Sequence, residues 1–184
     1  KEMLDWLIER GAKIVMVAHL HEDDASFSNL IPQLHILLGR EIGFIKNLEE
    51  MGSYLKNYPE AGLLENIRNP AVADPAIAGG EKENSREFAQ KLSHGFDIYV
   101  NNDFAVSHRD HASVSAIAEF LPSYAGLLVK EEVVQLQKVV NAPKTGKVVI
   151  IGGAKAETKV PVVKNFINKA DRILIGGVGA NDML

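Results

Sequence analysis

Apolar residues recur along this chain at two spacings, every three to four positions in some stretches and consecutively in others, and the alternation predicts helices interleaved with buried strands. Leu4, Leu7 and Ile8 share one helical face that stops at Gly11. Ile14 to Ala18 follows as an unbroken apolar run, the pattern of a strand buried on both faces. Pro32 opens a second helix through Leu34, Leu37 and Leu38 to Gly39, and Ile42 with Phe44 marks a short strand. Leu48, Met51 and Leu55 suit a third helix, after which Gly62, Leu63 and Leu64 lead into a third strand. An Ala/Pro/Gly-rich loop from Pro70 to Gly80 precedes a helix carrying Phe88 and Leu92. Asn84, with Glu87 three residues on, reads as the capping box of that helix.

The second half keeps the rhythm. A strand from Asp97 to Asn101 runs into a polar segment, and Pro122 to Gly126 interrupts the pattern before a long helix in which Leu128, Val133, Leu136 and Val140 recur. That helix ends at Asn141-Ala142-Pro143-Lys144-Thr145-Gly146, which reads as a boundary. Val148 to Ile151 then forms a fresh strand ending in Gly152 and Gly153, followed by a helix with Val160, Val163 and Ile167 on one side. Ile173 to Ile175 ends in Gly176 and Gly177. The prediction is an α/β fold, a Rossmann-like three-layer arrangement of parallel sheet flanked by helices, with the beginning of a second similar domain. Residues 1–126 form a partial first domain, 127–143 an interdomain helix and boundary, and 144–184 the start of the second. The chain reads as an internal piece of a longer protein.

Composition narrows the function classes. A hydrophobic fraction of 46% with 24% charged residues is ordinary for a water-soluble domain, and no apolar run approaches the ~20 residues of a membrane helix. The net charge of −4 argues against a nucleic-acid binder, which needs a basic field over a whole face. With no cysteine, neither a disulfide framework nor a thiolate metal site is open to the chain. No leader pattern opens it, so the expected location is cytoplasmic. Trp6 is expected to pack on the first strand and Tyr124 to stabilise the turn beside Pro122.

Candidate chemistry sits at the ends of strands. Behind the strand at Asp97 to Asn101 come His108, Arg109 and His111, cations placed where ligands lie in open α/β sheets. Arg109 has a guanidinium fork suited to a carboxylate or phosphate, and the histidines add donors that charge as pH falls. A solvated loop is the competing reading. Gly152 and Gly153, and again Gly176 and Gly177, let backbone approach a ligand, and the helix after the first pair offers unpaired N–H groups to phosphate. Lys155 and Lys159 stand four apart in the first turns of that helix, an unfavourable place for two cations unless an anion arrives.

Taken in order, Ala18-His19-Leu20, Leu63-Leu64-Glu65-Asn66-Ile67-Arg68, Tyr99-Val100-Asn101 through Phe104, Ser107-His108-Arg109 with His111-Ala112-Ser113, Gly152-Gly153-Ala154-Lys155 with Lys159, and Ile175-Gly176-Gly177 resemble the phosphoglycerate kinases over nearly the whole chain. The resemblance implies a two-domain α/β kinase, monomeric when complete, that transfers phosphoryl between 1,3-bisphosphoglycerate and ADP to give 3-phosphoglycerate and ATP in glycolysis. It implies that His19, Arg68 and Arg109 hold phosphoglycerate, with His108 and His111 in the same basic patch. Lys155 and Lys159 would meet the transferring phosphoryl and the nucleotide phosphates, with Gly152, Gly153, Gly176 and Gly177 beside the nucleoside. Mg2+ would arrive with ATP or ADP, on metal ligands lying outside this chain.

Two departures stand out. The family continues after His-Leu with Gly-Arg-Pro, whereas here stand His21, Glu22 and Asp23, so an anion-binding arginine is missing and carboxylates lie near its place. Asn102-Asp103-Phe104 replaces the family's Asp-Ala-Phe. These changes put substrate affinity in question; the chain alone is expected to be inactive, as a truncated piece of an active kinase, because the metal-holding residues and a further catalytic arginine that the resemblance implies would lie outside it. A non-catalytic phosphoglycerate-kinase-like binding protein remains the alternative, ahead of a nicotinamide-dependent dehydrogenase, for which the glycine fingerprint is lacking.

Overall fold

The computed structural model describes residues 1–57, 60–72, 80–153, 156–177 and 180. The Pro70 to Gly80 loop therefore lies largely outside the described residues. The chain divides into two compact units, Lys1–Lys130 and Glu131–Leu184.

In the first unit α1 (Glu2–Ile8) leads to β1 (Ile14–Met16), α2 (Ile31–Leu38), β2 (Gly43–Ile45), α3 (Leu48–Asn57) and β3 (Ala61–Leu64). Pro32 stands in the first turn of α2, where its missing N–H costs nothing, and Gly39 closes that helix at φ 70° in the left-handed region. The three strands are parallel in the order β1-β3-β2. β1 is shorter than the apolar run suggested, and only half-buried: Val17 and Ala18 are exposed, because the chain turns out of the sheet after Met16.

β3 is the strand buried throughout, and its alternation sorts two cores. Ala61 and Leu63 point into one cluster with Phe27 and Ile42, against which α1 and α2 pack. Leu64 points into the other with Ile45, Met51, Tyr54, Phe88 and Leu92. Gly62 and its register partner Gly43 face the same side as Leu64, and the Tyr54 ring lies over them: a Cβ on Gly43 would stand 2.1 Å from Tyr54 Oη and one on Gly62 2.6 Å from Tyr54 Cε1. The phenol donates to the Ala61 carbonyl at 2.7 Å.

α4 (Arg86–Ser93) begins at Ser85, whose hydroxyl accepts from the Phe88 N–H, and not at Asn84. Asn84 is committed elsewhere: it adopts φ 53°, donates to Asp110 and accepts from the Ala116 N–H. β4 (Tyr99–Asn101) pairs in parallel with β5 (Ser123–Ala125), a strand inside the segment expected to interrupt the pattern. Tyr124 is accordingly an exposed strand residue. Trp6 does not pack on β1 either: it is exposed, with the Arg10 guanidinium 4.0 Å from its ring centroid.

α5 (Leu127–Asn141) contains no buried residue, and the division between the units falls within it. In the second unit β6 (Val148–Ile151) pairs in parallel with β7 (Arg172–Ile175), with α6 (Ala156–Phe166) between them. Among the described residues no helix is long and apolar enough to cross a membrane.

Candidate functional site

β1 and β3 are parallel neighbours, so the segments leaving their C-terminal ends emerge side by side. One carries His19 and the other Arg68. The Leu63-Leu64-Glu65-Asn66 block shows why they meet. As β3 ends, the Glu65 carboxylate accepts from the Phe27 N–H at 2.7 Å and the Ser26 hydroxyl. The fully buried Asn66 amide accepts from the Leu20 N–H at 3.1 Å and donates to the carbonyls of Glu22, Asp23 and Ala25. Two buried polar side chains thus hold the segment after His19, satisfying backbone groups that would otherwise be stranded.

Arg68 and the segment after β4 converge on Glu81. Glu81 is buried; its Oε2 faces Arg68 Nε at 3.4 Å, and its Oε1 faces His111 Nδ1 at 3.0 Å and accepts from the Ser113 hydroxyl at 2.9 Å. Its carbonyl accepts from the Ala112 N–H, pinning the His111–Ser113 turn. His19 feels the same assembly. Burial first, then the positive Arg68 and Arg109, hold its imidazole below the ordinary value of 6.5, with Glu81 acting in the opposite sense and His111 adding to the positive side. Arg109 is half-buried and, among the described residues, its side chain has no hydrogen-bond or ionic partner. His108 is exposed and lines a shallow open groove with Ser107, Arg109 and Asp110.

The structure therefore brings together His19, Arg68, Arg109 and His111, and leaves His108 at the rim. It also shows what stands in place of the missing arginine: Asp23 is engaged by Lys82 Nζ at 2.5 Å, and that hydrogen bond draws its carboxyl below the usual range, while His21 and Glu22 are exposed. At the end of β4 the Asp103 carboxylate accepts from the Ala105 N–H, and Asn102 Oδ1 accepts from the Leu128 N–H at the start of α5. Gly126 permits that contact, since a Cβ there would stand 2.3 Å from Asn102 Oδ1. Glu81, Lys82 and Asn66 were not singled out as functional from the sequence. Glu81 and Lys82 are charged residues in a polar stretch, and no spacing marks which carboxylate turns inward.

In the second unit the two glycine turns lie against each other at the ends of β6 and β7. The Gly176 N–H donates to the Ile151 carbonyl at 2.9 Å, and a Cβ on Gly177 would stand 3.7 Å from the Gly153 carbonyl oxygen. Gly153 and Gly177 have φ of 125° and 70°, open to glycine and strained for other residues. Gly152 and Gly176 have open space above them. Lys159 arches back from α6, its Cε 3.3 Å from a Cβ placed on Gly153, and its ammonium has no partner among the described residues. Lys155 lies outside the described residues.

The comparisons agree with one another. The family model described as phosphoglycerate kinase matches residues 1–184. Phosphoglycerate kinases of Dictyoglomus turgidum and of a Drosophila simulans Wolbachia are 36% and 37% identical to the chain over 95% and 98% of it, which is 44% and 46% of their own lengths. The crystal structure of phosphoglycerate kinase from Pyrococcus horikoshii superposes with a TM-score of 0.81 at 28% identity, covering 97% of this chain and 46% of that one. The structure of phosphoglycerate kinase from Coxiella burnetii gives 0.73 at 28% identity, covering 96% of this chain and 44% of that one. The chain thus spans less than half the length of the relatives it matches, and it belongs to the phosphoglycerate kinase family.

Proposed function

We propose that the Lys1–Lys130 unit binds 3-phosphoglycerate and 1,3-bisphosphoglycerate through His19, Arg68 and Arg109, and that the whole protein transfers phosphoryl reversibly between 1,3-bisphosphoglycerate and ADP. The carrying observation is the grouping of Arg68, Arg109 and His111 around His19 at the ends of the strands, with a single buried carboxylate among them. That balance leaves excess positive charge in a partly desolvated place, and an anionic ligand satisfies it. In the Glu131–Leu184 unit the paired glycine turns and the Lys159 ammonium, unpartnered among the described residues, support a role in holding ATP or ADP phosphates. Lysine suits a phosphoryl group in motion, being a compact charge on a flexible stem, whereas the arginine forks fix the substrate. Mg2+ belongs to this chemistry as the companion of the nucleotide. Among the described residues no three His, Asp or Glu side chains stand together as ligands, and no step is assigned to the metal on this chain's residues.

A second reading has its own support: Asp23 and Glu22 stand where the family carries an arginine, and Lys82 is spent on Asp23. This favours a protein that binds the triose without turning it over. Isothermal calorimetry decides the binding claim. The chain is expected to bind 3-phosphoglycerate, and Arg109→Ala to weaken it by about tenfold to a hundredfold, the worth of one charge-assisted hydrogen bond. Unchanged affinity in Arg109→Ala, or no binding by the parent chain, overturns the assignment. A coupled assay of the complete protein with ATP, magnesium and 3-phosphoglycerate separates the kinase from the binder, and residues 1–184 alone are expected to bind without turnover.

A further inference from the structure

The guanidinium of Arg68 presents two different edges, and only one of them is used. Its Nε faces Glu81 at 3.4 Å, and neither Nη has a hydrogen bond among the described residues. His111 is divided in the same way: Nδ1 faces Glu81 Oε1 at 3.0 Å, and Nε2 has no partner among the described residues. Ser113 donates to the same Oε1 at 2.9 Å, and the Glu81 side chain is only 4% exposed. A carboxylate this deep needs several donors to be tolerated, and each donor it takes is turned by it. Taking Nε leaves the paired Nη edge of Arg68 for a bidentate contact with a carboxylate or phosphate. Taking Nδ1–H of His111 sets which tautomer the neutral ring adopts and aims Nε2 away from the carboxylate.

We infer that Glu81 is a positioning residue, the buried carboxylate that orients Arg68 and His111 together so that the Nη edge of one and the Nε2 of the other converge on the same anionic substrate. The inference rests on the reading of this cluster as the triose site. It also explains why a negative charge is kept at the centre of a site for anions. Without it Arg68 would be an unpaired buried cation, and the site would have to choose between desolvation and disorder. The neighbouring carboxylates do not substitute for it: Asp23 is engaged with Lys82, and Asp110 with Asn84. Ser113 reinforces the orientation by donating to the same Oε1 that His111 faces.

Two variants and two readouts test this on residues 1–184. Glu81→Met removes the acceptor at similar length, and Glu81→Gln keeps an acceptor without the charge; amide spectra establish that each is folded. Long-range nitrogen–proton correlation of the imidazoles should show neutral His111 as the Nδ1–H tautomer in the parent chain and as the commoner Nε2–H tautomer in Glu81→Met. Calorimetry with 3-phosphoglycerate should show affinity at least about tenfold weaker in Glu81→Met, with partial recovery in Glu81→Gln, since the loss is that of an oriented charge-assisted bond. An Nε2–H tautomer in the parent chain, or full affinity in a folded Glu81→Met, overturns the inference. If Glu81→Met does not fold, Glu81→Gln alone decides: affinity equal to the parent's overturns it, and weakened affinity in a folded protein supports it. Should the parent chain bind no 3-phosphoglycerate while the tautomer shift is seen, the substrate reading fails and the orienting role of Glu81 stands.

Discussion

At His19 the protein spends stability to prepare a site. Burial and the two arginines keep the imidazole below 6.5, so the folded state holds the neutral ring while an unfolded chain takes up a proton at ordinary pH for histidine. A depressed histidine contributes stability above the unfolded value that is lost as pH falls through the folded one. The urea midpoint is therefore expected to fall as pH drops below about 6.5, and His19→Gln to flatten that slope; a slope identical in the variant refutes the link. Ligand binding should act on the same group in reverse. An anion between Arg68 and Arg109 screens the repulsion, raises the affinity of His19 for its proton, and makes binding near pH 6 take up protons. Binding enthalpies that do not depend on the ionisation heat of the buffer would exclude this. Arg109 was legible in the sequence as a candidate anion ligand, because it is a cation directly behind a strand end. Glu81 was not, because only burial distinguishes it from Glu83 and Glu87.

Among the elements, the meeting of β2, β3 and α3 is the most tightly specified. Gly43 and Gly62 sit opposite each other in register, and Tyr54 fills the slot that their missing side chains leave. Gly62→Ala would force the ring aside and disturb its bond to the Ala61 carbonyl. Overpacking of this kind costs typically about 1–3 kcal/mol, visible as a lower urea midpoint. The cost should shrink in a Tyr54→Leu background, where the ring no longer competes for the space, a coupling that a double-mutant cycle reads directly. Additive effects would show that the slot can relax. Most elements were legible from apolar spacing, α2, α3, β6 and β7 among them. The failures share a cause: β5 is exposed at each of its three positions and announces itself by no apolar pattern, being held instead by the backbone contacts of Tyr99 with Pro122 and Gly126 with Asn101. Asn84 and Ser85 are equally competent caps, and the tertiary partners of Asn84 decided between them.

Across the whole molecule the two units differ in what they bury. The first has two cores on either side of β3. The second, among the described residues, buries only Ile151 and Ala170 of its apolar side chains, and Ile150 is 77% exposed. Strands with so little cover open at low cost. Amides of Val148–Ile151 and Arg172–Ile175 are thus expected to exchange well before those of Ala61–Leu64 in residues 1–184; equal protection would show that the second unit is stable by itself. The net charge of −4 adds that the cations grouped at the strand ends are a local feature set against the overall field of these residues.

By itself the sequence determined the alternation of strands and helices, the parallel sheets that follow from it, and the placing of cations at strand ends, because periodicity and charge are local properties of the chain. Family membership was carried by short ordered blocks, and the residues that make those blocks recognisable, Glu65 and Asn66, are the ones that clamp the segment after His19. Tertiary structure alone decided which carboxylate is buried, which edge of Arg68 is left open, and that Asp23 is neutralised by Lys82, fifty-nine residues further on. Those outcomes depend on distances between residues far apart in the chain, and a carboxylate carries the same letter whether water or an arginine satisfies it.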